Sequence, residues 1–395
     1  MPDFIRRAQE QSVAEATPPQ AVVIIGPRRC GKTTFLKELV KTFPGTVRWF
    51  NCDLYSHVRM LQPETTGDVE ALLQLAPTLV IDEAQKVPDI GNVIKLLVDA
   101  NENLEKPVRI FVTGSSALQL ADGVKESAVG RWRERRMWPF SMKELADHWN
   151  WGYVQENLEK FMIYGCHPQV IQNFEDATET LIDYREGFLF RDLLQLAEMR
   201  RSSLLTQLAT KLSYRIGSVI NYESLGAEIG LSRLTVQRYI DLLELCGIIK
   251  VVPSYSQNLD NELRKGKKIY FTDLGIRNAL IEDFSPFTNR PDAGAIWENF
   301  FFMERLKKHD LERTFTWQFF WRVRGTRRVA GTEKAVEYSR EIDFVEAKDN
   351  RLEAFECKLN PKKKDSGGQE FRDAYPDCSI HVVSPQNCRP YFQLQ

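Results

Sequence analysis

Residues 26–33 have the composition and spacing of a phosphate-binding loop. They read Gly-Pro-Arg-Arg-Cys-Gly-Lys-Thr, which fits G-x-x-x-x-G-K-[ST]. In such a loop, backbone N–H groups turn toward phosphate oxygens, and the positive end of the following helix dipole attracts the anion. Lys32 is expected to reach the β- and γ-phosphates, and the Thr33 hydroxyl to ligate Mg²⁺. The residues expected to contact the nucleotide are Gly26, Pro27, Arg28, Arg29, Cys30, Gly31, Lys32, Thr33 and Thr34.

Two adjacent acids follow a second apolar run. Leu79-Val80-Ile81 leads directly into Asp82 and Glu83. Asp82 would hold Mg²⁺ through water, and Glu83 would orient and deprotonate the water that attacks the γ-phosphate. Adjacent acids at a strand end are often solvated turn residues. Their place downstream of a phosphate-binding loop favours the catalytic interpretation.

Two further side chains are candidates for the same site. Ser115 follows the run 108–113 and would place a hydroxyl beside the attacking water, although a plain Gly-Ser turn explains the same residues. Arg131 lies in the basic segment 130–136 and is a candidate arginine finger, acting on the γ-phosphate of its own subunit or of a neighbour's. A solvated basic strand or an ion-pair face is the alternative for this segment.

The elements that would position these residues alternate between strand and helix. In 21–25 four of the five residues are β-branched, which predicts a buried strand. The segment 32–42 places Phe35, Leu36 and Leu39 at helical spacing. Further strands are predicted at 47–52, 78–81 and 108–113, with helices around 67–75 and 90–100. This alternation predicts a parallel sheet with helices on both faces.

The segment 222–246 has the pattern of a helix-turn-helix. A short helix, a Gly230-Leu231 turn and a Ser232 N-cap precede a second helix that ends at Gly247. Two β-like runs, 248–252 and 268–272, then predict a winged helix. The residues expected on the outer face of the second helix are Arg233, Thr235, Gln237, Arg238 and Asp241, and those expected on its buried face are Val236, Tyr239, Ile240 and Leu243.

This predicted winged helix has two open interpretations. Its outer face could read base edges in a DNA major groove. Lys265, Lys267 and Lys268 in the wing favour nucleic acid. Winged helices also serve as dimer contacts or rigid spacers.

A second set of acids lies near the C-terminal end. The runs 340–344 and 354–358 predict two strands whose Asp343 and Glu356 converge at one edge, with Glu298 on the preceding helix. This pattern resembles the PD-(D/E)XK arrangement of restriction endonucleases. That resemblance implies that the carboxylates hold Mg²⁺ or Mn²⁺ and that Lys358 stabilises or deprotonates the water attacking a phosphodiester. A second Glu-x-Lys triplet, at 346–348, is too close to Asp343 to lie on the partner strand.

Basic runs accompany these acids. They could contact phosphates, with Trp321 available for stacking, or form solvated hairpins. They consist of Trp321, Arg322, Arg324, Arg327 and Arg328, and of Lys362, Lys363 and Lys364 after Pro361.

Composition narrows the classes of protein that remain. The 395 residues carry 53 Lys and Arg against 54 Asp and Glu, so any binding to nucleic acid must come from local patches. Seven cysteines without a C-x-x-C pair argue against a disulfide framework and favour a cytoplasmic setting. The N-terminal segment lacks the apolar stretch of a signal peptide, and no run approaches the ~18 apolar residues of a membrane span.

Several segments together resemble a large prokaryotic family of AAA-type ATP-binding proteins of the P-loop (ASCE) class that carry a C-terminal domain of unknown function 4143. The resemblance implies ATP binding with slow hydrolysis. The segments are IIGPRRCGKTTFLKEL, LVIDEAQ, FVTGSS, GRWRERRMWPFSMKEL, YGCHPQVI, INYESLGAEIGLSRLTVQRYIDLLELCGIIKVV, KKIYFTDLGIRNAL, and REIDFVEA with AFECK.

The predicted fold class is therefore a multidomain α/β chain. Its expected parts are an N-terminal arm (1–20), a P-loop parallel-sheet AAA-type ATPase module (21–140), a helical lid or connector (141–212), a winged helix (213–285) and a restriction-endonuclease-like α/β module (286–395).

The predicted function is a switch in which hydrolysis of ATP with Mg²⁺ controls the C-terminal half. An ATP-regulated Mg²⁺ or Mn²⁺ nuclease using Asp343, Glu356 and Lys358 is one open alternative, and a nucleotide-bound protein adaptor without turnover is another. The expected partners are accordingly ATP, DNA or RNA, or a protein, with no membrane. The sequence leaves the oligomeric state open.

Overall fold

The computed structural model describes residues 4–115, 130–187, 202–256, 266–328, 335–362 and 367–393. Lys265, Lys363 and Lys364, for which the sequence predicts contacts with nucleic acid, lie outside these residues. The side chains of Arg327 and Arg328 lie outside the described part as well.

The N-terminal part is built on five parallel strands in the order β2-β3-β4-β1-β5. Strand β4 separates the strand that leads into the phosphate-binding loop from the strand that ends in Asp82. All five run the same way, so their carboxyl ends meet at one edge. The strands are β1 (Ala21–Gly26), β2 (Val47–Asn51), β3 (Thr78–Asp82), β4 (Arg109–Ser115) and β5 (Trp132–Arg136).

Helices cover both faces of this sheet, as predicted. Alternate residues of β1 point to opposite faces, so that Val22 and Ile24 share a core with Phe35 on one side. On the other side Val23 packs in a separate core with Ile94. The helices of this part are α1 (Glu10–Ala14), α2 (Lys32–Leu39), α3 (Tyr55–Met60), α4 (Thr66–Leu73) and α5 (Ile90–Asn101).

Short helices connect this module to the rest of the chain. They are α6 (Met142–His148), α7 (Trp151–Glu156), α8 (Leu158–Tyr164), α9 (Pro168–Gln172), α10 (Ala177–Gly187) and α11 (Ser202–Ser213). A three-stranded antiparallel sheet of order β6-β8-β7 and two helices follow. They are β6 (Val219–Ile220), α12 (Tyr222–Ile229), α13 (Arg233–Leu245), β7 (Ile249–Pro253) and β8 (Lys267–Phe271). The predicted buried face of α13 is confirmed, because all four of its residues lie in the core. A winged-helix function stays a prediction.

The C-terminal part is a four-stranded mixed sheet of order β12-β11-β10-β9, in which only the β11–β12 pair is parallel. Helix α15 packs on it through Phe301, whose ring meets those of Phe344 and Phe355. The elements are α14 (Leu274–Leu280), α15 (Ala293–Glu312), β9 (Trp317–Arg328), β10 (Ala335–Lys348), β11 (Arg351–Cys357), α16 (Gly368–Ala374), β12 (Ser379–Val383) and α17 (Arg389–Phe392).

One large apolar core joins the connector, the three-stranded unit and the C-terminal part. Leu145, Phe161, Ile240 and Phe301 all belong to it. Because this core is shared, a movement of the connector should change the packing of the three-stranded unit and of the C-terminal part. No helix among the described residues is both long enough and apolar enough to cross a membrane.

Candidate nucleotide-binding site

The backbone of the loop between β1 and α2 favours glycine at two positions. A Cβ atom at Gly26 would lie 2.0 Å from the Met137 carbonyl oxygen, so only glycine fits there. Gly31 adopts a φ of +97°, a conformation that glycine reaches without strain. No side chain caps the amino end of α2. Its first N–H groups thus stay available for an anion.

Lys32 is buried inside the loop, with 5% of its surface exposed. Its ammonium group donates to the carbonyl oxygens of Gly26 at 3.0 Å and Pro27 at 2.8 Å. Within the described residues it forms no ion pair, so neutral groups alone hold its charge. An ammonium held in this way is poised to attract an anion such as a phosphate.

The Asp82 carboxylate, at the end of β3, is held by two hydroxyl groups. Thr33 donates to its Oδ1 atom at 3.0 Å and Thr113 donates to the same atom at 2.5 Å. Asp82 also forms no ion pair with any residue that the structure describes. Mg²⁺ prefers oxygen ligands and is commonly held by one or two carboxylates together with phosphates and water. A carboxylate and a hydroxyl beside a phosphate-binding loop fit that ion.

Glu83 is connected to Ser115 through Gln85. Glu83 has a φ of +58°, and its N–H group donates to the Thr113 hydroxyl at 3.2 Å. The Gln85 amide donates to the Glu83 carboxylate at 2.7 Å and accepts from the Ser115 N–H group at 3.2 Å. The Ser115 hydroxyl is buried and has no hydrogen-bond partner among the described residues. These contacts bring the predicted Ser115 and Glu83 together.

The remaining loop residues differ in exposure. Pro27 and Cys30 are buried, Arg28 is half-buried, and Arg29 and Thr34 are exposed.

Two residues that the sequence patterns did not single out belong to the site: Arg7 contacts the loop, and Thr113 contacts Asp82. Arg7, from the N-terminal arm, donates to the Cys30 carbonyl oxygen and to that of Trp138. Its guanidinium also pairs with Glu144 at 3.3 Å. Thr113 is the second such residue. It lies within the segment FVTGSS, two residues before Ser115, so alternation along β4 turns both side chains to the same face of the sheet. A single arginine in a polar arm carries no comparable signal.

The connector covers the loop through the segment 164–169. Pro168 lies 3.5 Å from the position that a Gly31 Cβ atom would take. His167 is buried, its ring is hydrogen-bonded to the Arg29 backbone, and burial lowers its pKa. The Arg29 guanidinium reaches Gln169 at 3.4 Å. The sequence placed this segment only within the predicted helical lid or connector (141–212).

Arg131 lies far from the loop of its own chain, and the geometry corrects the expectation of a finger acting there. Its carbonyl oxygen accepts from the Ala21 N–H group, at the amino end of β1. Gly26 is five residues further along, about 17 Å at about 3.3 Å per residue. The Arg131 guanidinium is held by Asp99 at 2.7 and 3.3 Å. A role at a neighbouring subunit's site stays a prediction.

The C-terminal carboxylates meet, but each contacts a lysine. The Lys268 ammonium, fully buried, lies 2.8 Å from Glu298 and 2.6 Å from Glu341. The Lys358 ammonium lies 2.5 Å from Glu356 and 3.5 Å from Asp343.

These contacts keep both lysines protonated. Burial acts to lower the pKa of Lys268, but Glu298, Glu341 and Asp343 outweigh it and the pKa is raised. Burial acts in the same way on Lys358, and Asp343 with Glu356 again raises the pKa. Lys358 is therefore poorly suited to accept a proton from water, contrary to one of its two expected roles.

The expected second metal finds no support here. Within the described ranges, no group of three or more His, Cys, Asp or Glu side chains could hold a metal ion. The two ammonium groups of Lys268 and Lys358 instead contact the four carboxylates of Glu298, Glu341, Asp343 and Glu356.

Comparison with known families supports the N-terminal assignment. Residues 18–146 match the sequence model of an AAA domain family, AAA_14. Residues 155–286 match a domain of unknown function, DUF8612, which is not the domain 4143 named in the resemblance. The first match supports a P-loop AAA-type module, and neither match extends into the last hundred residues.

Relatives and solved structures add little about individual residues. An uncharacterized protein of Mycobacterium tuberculosis is 25% identical over 283 residues, which cover 71% of this chain and 60% of the relative. One of Methanocaldococcus jannaschii is 23% identical over 316 residues, covering 75% of this chain and 68% of the relative. The matched region thus spans about 60% of the length of the mycobacterial relative.

Two solved structures are similar at a low level. The Aeropyrum pernix ORC1 protein in complex with DNA is 14% identical, with a TM-score of 0.29, covering 72% of this chain and 94% of that one. AMPPCP-bound DnaA from Aquifex aeolicus is 14% identical, with a TM-score of 0.29, covering 61% and 89%. At this similarity neither structure assigns a role to any residue.

Proposed function

We propose that the N-terminal module binds ATP with Mg²⁺ and hydrolyses it. One observation carries this proposal: Thr33 and Thr113 converge on one oxygen of Asp82, beside the uncompensated ammonium of Lys32. Catalysis of phosphoryl transfer rests on positioning and electrostatics, which these groups supply. A bound Mg²⁺ would neutralise charge developing on the phosphates.

Each residue has a defined task in this proposal. Lys32 exchanges its bonds to the Gly26 and Pro27 carbonyls for phosphate oxygens. Thr33 and Asp82 hold the ion. Glu83 orients the attacking water and takes its proton, and Gln85 fixes the Glu83 carboxylate through the bond already formed.

Turnover measurements test this proposal. Lys32→Ala should lose both ATP binding and phosphate release, whereas Glu83→Gln should keep binding and lose release, with kcat lower by about 10²–10⁴-fold. Lys37→Ala is the matched control, because Lys37 is an exposed lysine on the same helix. Undiminished hydrolysis in Lys32→Ala or Glu83→Gln would overturn the assignment. A wild-type chain that binds ATP without turnover would instead indicate an adaptor.

We further infer that nucleotide binding is transmitted to the C-terminal half through the segment 164–168. At one end His167 and Pro168 contact the loop. At the other end the Cys166 N–H group donates to Asp273 at 2.7 Å, and Asp273 also caps the amino end of α14. Gly165, with a φ of +73°, packs directly against Asp273. A movement of the segment 164–168 would thus be passed to α14 through the Asp273 carboxylate, which is hydrogen-bonded to both.

Hydrogen–deuterium exchange tests this switch. In Glu83→Gln, adding ATP with Mg²⁺ should change exchange in residues 273–280, and Lys32→Ala should show no such change. Asp273→Asn should retain ATP binding while weakening the response of α14. Identical exchange with and without ATP in Glu83→Gln would contradict transmission.

A further inference from the structure

A cavity of about 670 Å³ lies between the three-stranded unit and strand β9. Its volume falls within the 300–1,000 Å³ typical of ligand pockets. The two parts are joined at its base, where Ser254 forms a β-bridge with Phe320 and the Tyr255 N–H group donates to the Phe320 carbonyl oxygen at 2.6 Å. Residues from both parts therefore form one continuous lining.

The lining is cationic although the whole chain is almost neutral. Arg233, Lys267, Arg322 and Arg324 contribute four positive charges against the one carboxylate of Glu223. Arg322 is engaged by Glu341 at 3.3 Å, and Arg233 lies 3.9 Å from Glu223.

The other two cations, Lys267 and Arg324, form no ion pair within the part of the chain that the structure describes. The Asp241 carboxylate on α13 still interacts with Lys267, since burial raises the pKa of that carboxyl and the charge of Lys267 acts to lower it. Four cations therefore face the three carboxylates of Glu223, Glu341 and Asp241, and the cavity keeps a net attraction for anions.

Two hydroxyl groups in the lining lack partners. Ser254 is 1% exposed, and its Oγ atom has no hydrogen-bond partner among the described residues. The Tyr222 hydroxyl group is buried and equally unpartnered there. Buried polar groups are nearly always hydrogen-bonded, so two orphaned hydroxyls at one cavity indicate a ligand that completes them.

We propose that this cavity binds a strand of single-stranded nucleic acid, with phosphates on Lys267 and Arg324 and with Ser254 and Tyr222 donating to the bound nucleotides. The cations lie on three separate elements, α13, β8 and β9, which suits a chain of phosphates better than a single anion. Tyr222, which lines the cavity and is half-buried, provides an aromatic surface for a base. A cavity of this volume admits a few nucleotides of one strand and excludes a duplex. The site is independent of the nucleotide-binding loop.

Fluorescence anisotropy with the full chain and a labelled single strand of about 20 nucleotides tests this site. The variant Lys267→Gln/Arg324→Gln should bind at least tenfold more weakly. Its salt slope should be smaller by about 1.4, since each phosphate contact on a single strand contributes about 0.7. Arg59→Gln/Lys106→Gln is the matched control, because both residues are exposed cations of the N-terminal module and the charge change is identical. It should stay within twofold of wild type.

Further arms separate this proposal from its competitors. Tyr222→Phe should weaken binding severalfold. Comparing DNA and RNA strands of the same sequence shows which of the two nucleic acids binds more tightly. Lys32→Ala should bind the strand like wild type, so a failure here is distinct from a failure of ATP binding. Equal affinity in the Lys267→Gln/Arg324→Gln variant, displacement by millimolar mononucleotide, or no binding of either strand would overturn the proposal. A tighter duplex complex that is lost in Arg238→Gln would also overturn it and would place binding on the outer face of α13.

Discussion

The nucleotide-binding loop and the C-terminal carboxylate cluster use the same residue types in opposite ways. At the loop, Lys32 is held by carbonyl oxygens and Asp82 by hydroxyl groups, so neither charge is compensated by an opposite charge. In the C-terminal cluster, Lys268 bridges Glu298 and Glu341, and Lys358 contacts Glu356. The first arrangement leaves an ammonium and a carboxylate open to an external anion and cation, whereas in the second each of these carboxylates already contacts a lysine.

This difference shows why residue types alone do not define a metal site. A buried charge must be compensated, and the compensating group decides whether a ligand can bind. Lys268 directly follows Lys267, which lines the cationic cavity, so two neighbouring lysines on β8 have opposite environments. One stabilises the fold and the other is available to a ligand.

Removing the buried lysine should have the largest effect on stability. Lys268→Met leaves the largely buried Glu298 without its counter-charge, while Glu341 keeps Arg322 as a partner, and the free energy of unfolding should fall by about 3–5 kcal/mol. Lys32→Met removes only bonds to neutral carbonyls and should lower it by about 1–2 kcal/mol. Urea unfolding followed by tryptophan fluorescence measures both.

The same comparison has an internal control. Adding Glu298→Gln to Lys268→Met should restore part of the lost stability, because one uncompensated carboxylate is removed. Equal losses in Lys268→Met and Lys32→Met would show that the two lysines are not held differently.

Removing the Thr113 hydroxyl should have an effect of intermediate size, and the effect should be on the rate of ATP turnover. Thr113→Val loses the hydrogen bond to Asp82 and the one accepted from Glu83, and kcat should fall about tenfold, or about 1.4 kcal/mol. Phosphate release at saturating ATP measures it. Thr78→Val is the matched control, because Thr78 is also buried in the sheet and its hydroxyl has no hydrogen-bond partner among the described residues. A similar fall in both variants would indicate a general effect of packing.

Replacing His167, which lies in the segment that covers the loop, should have a smaller effect, on the pH dependence of stability. Burial lowers the pKa of His167, so in the folded chain it stays neutral at a pH where the unfolded chain, with an ordinary pKa near 6.5, takes up a proton. The unfolded state then binds more protons, and the contribution of His167 to stability falls as the pH drops below about 6.5. Relative to His167→Gln, wild type should lose stability between pH 6.5 and 5.5, by at most about 1 kcal/mol. Parallel pH profiles for the two proteins would rule out a buried neutral imidazole.

The sequence predicted β1 to β4 of the N-terminal module because each contains a short apolar run, and it predicted the loop because the loop has a specific motif. It did not predict β5 as part of the sheet, because Trp132–Arg136 is basic, which favours a solvated strand. It also placed Glu298, Asp343 and Glu356 near one another. It did not reveal that Lys268 pairs with Glu298 and Glu341, because these contacts join β8 to α15 and β10 across a long sequence separation. The contact between Arg7 and the loop was hidden for the same reason. The expectation that Arg131 reaches the loop of its own chain was wrong because a basic segment does not show which end of its strand an arginine occupies.

Equilibrium dialysis with radiolabelled ATP and Mg²⁺ measures whether Lys32 holds the nucleotide when two lysine variants are compared with the wild type. One ATP should bind per wild-type chain, and this binding should be lost in Lys32→Met and unchanged in Lys358→Met. Absence of saturable uptake by the folded wild-type chain, or uptake that survives Lys32→Met, would rule out ATP binding at this loop.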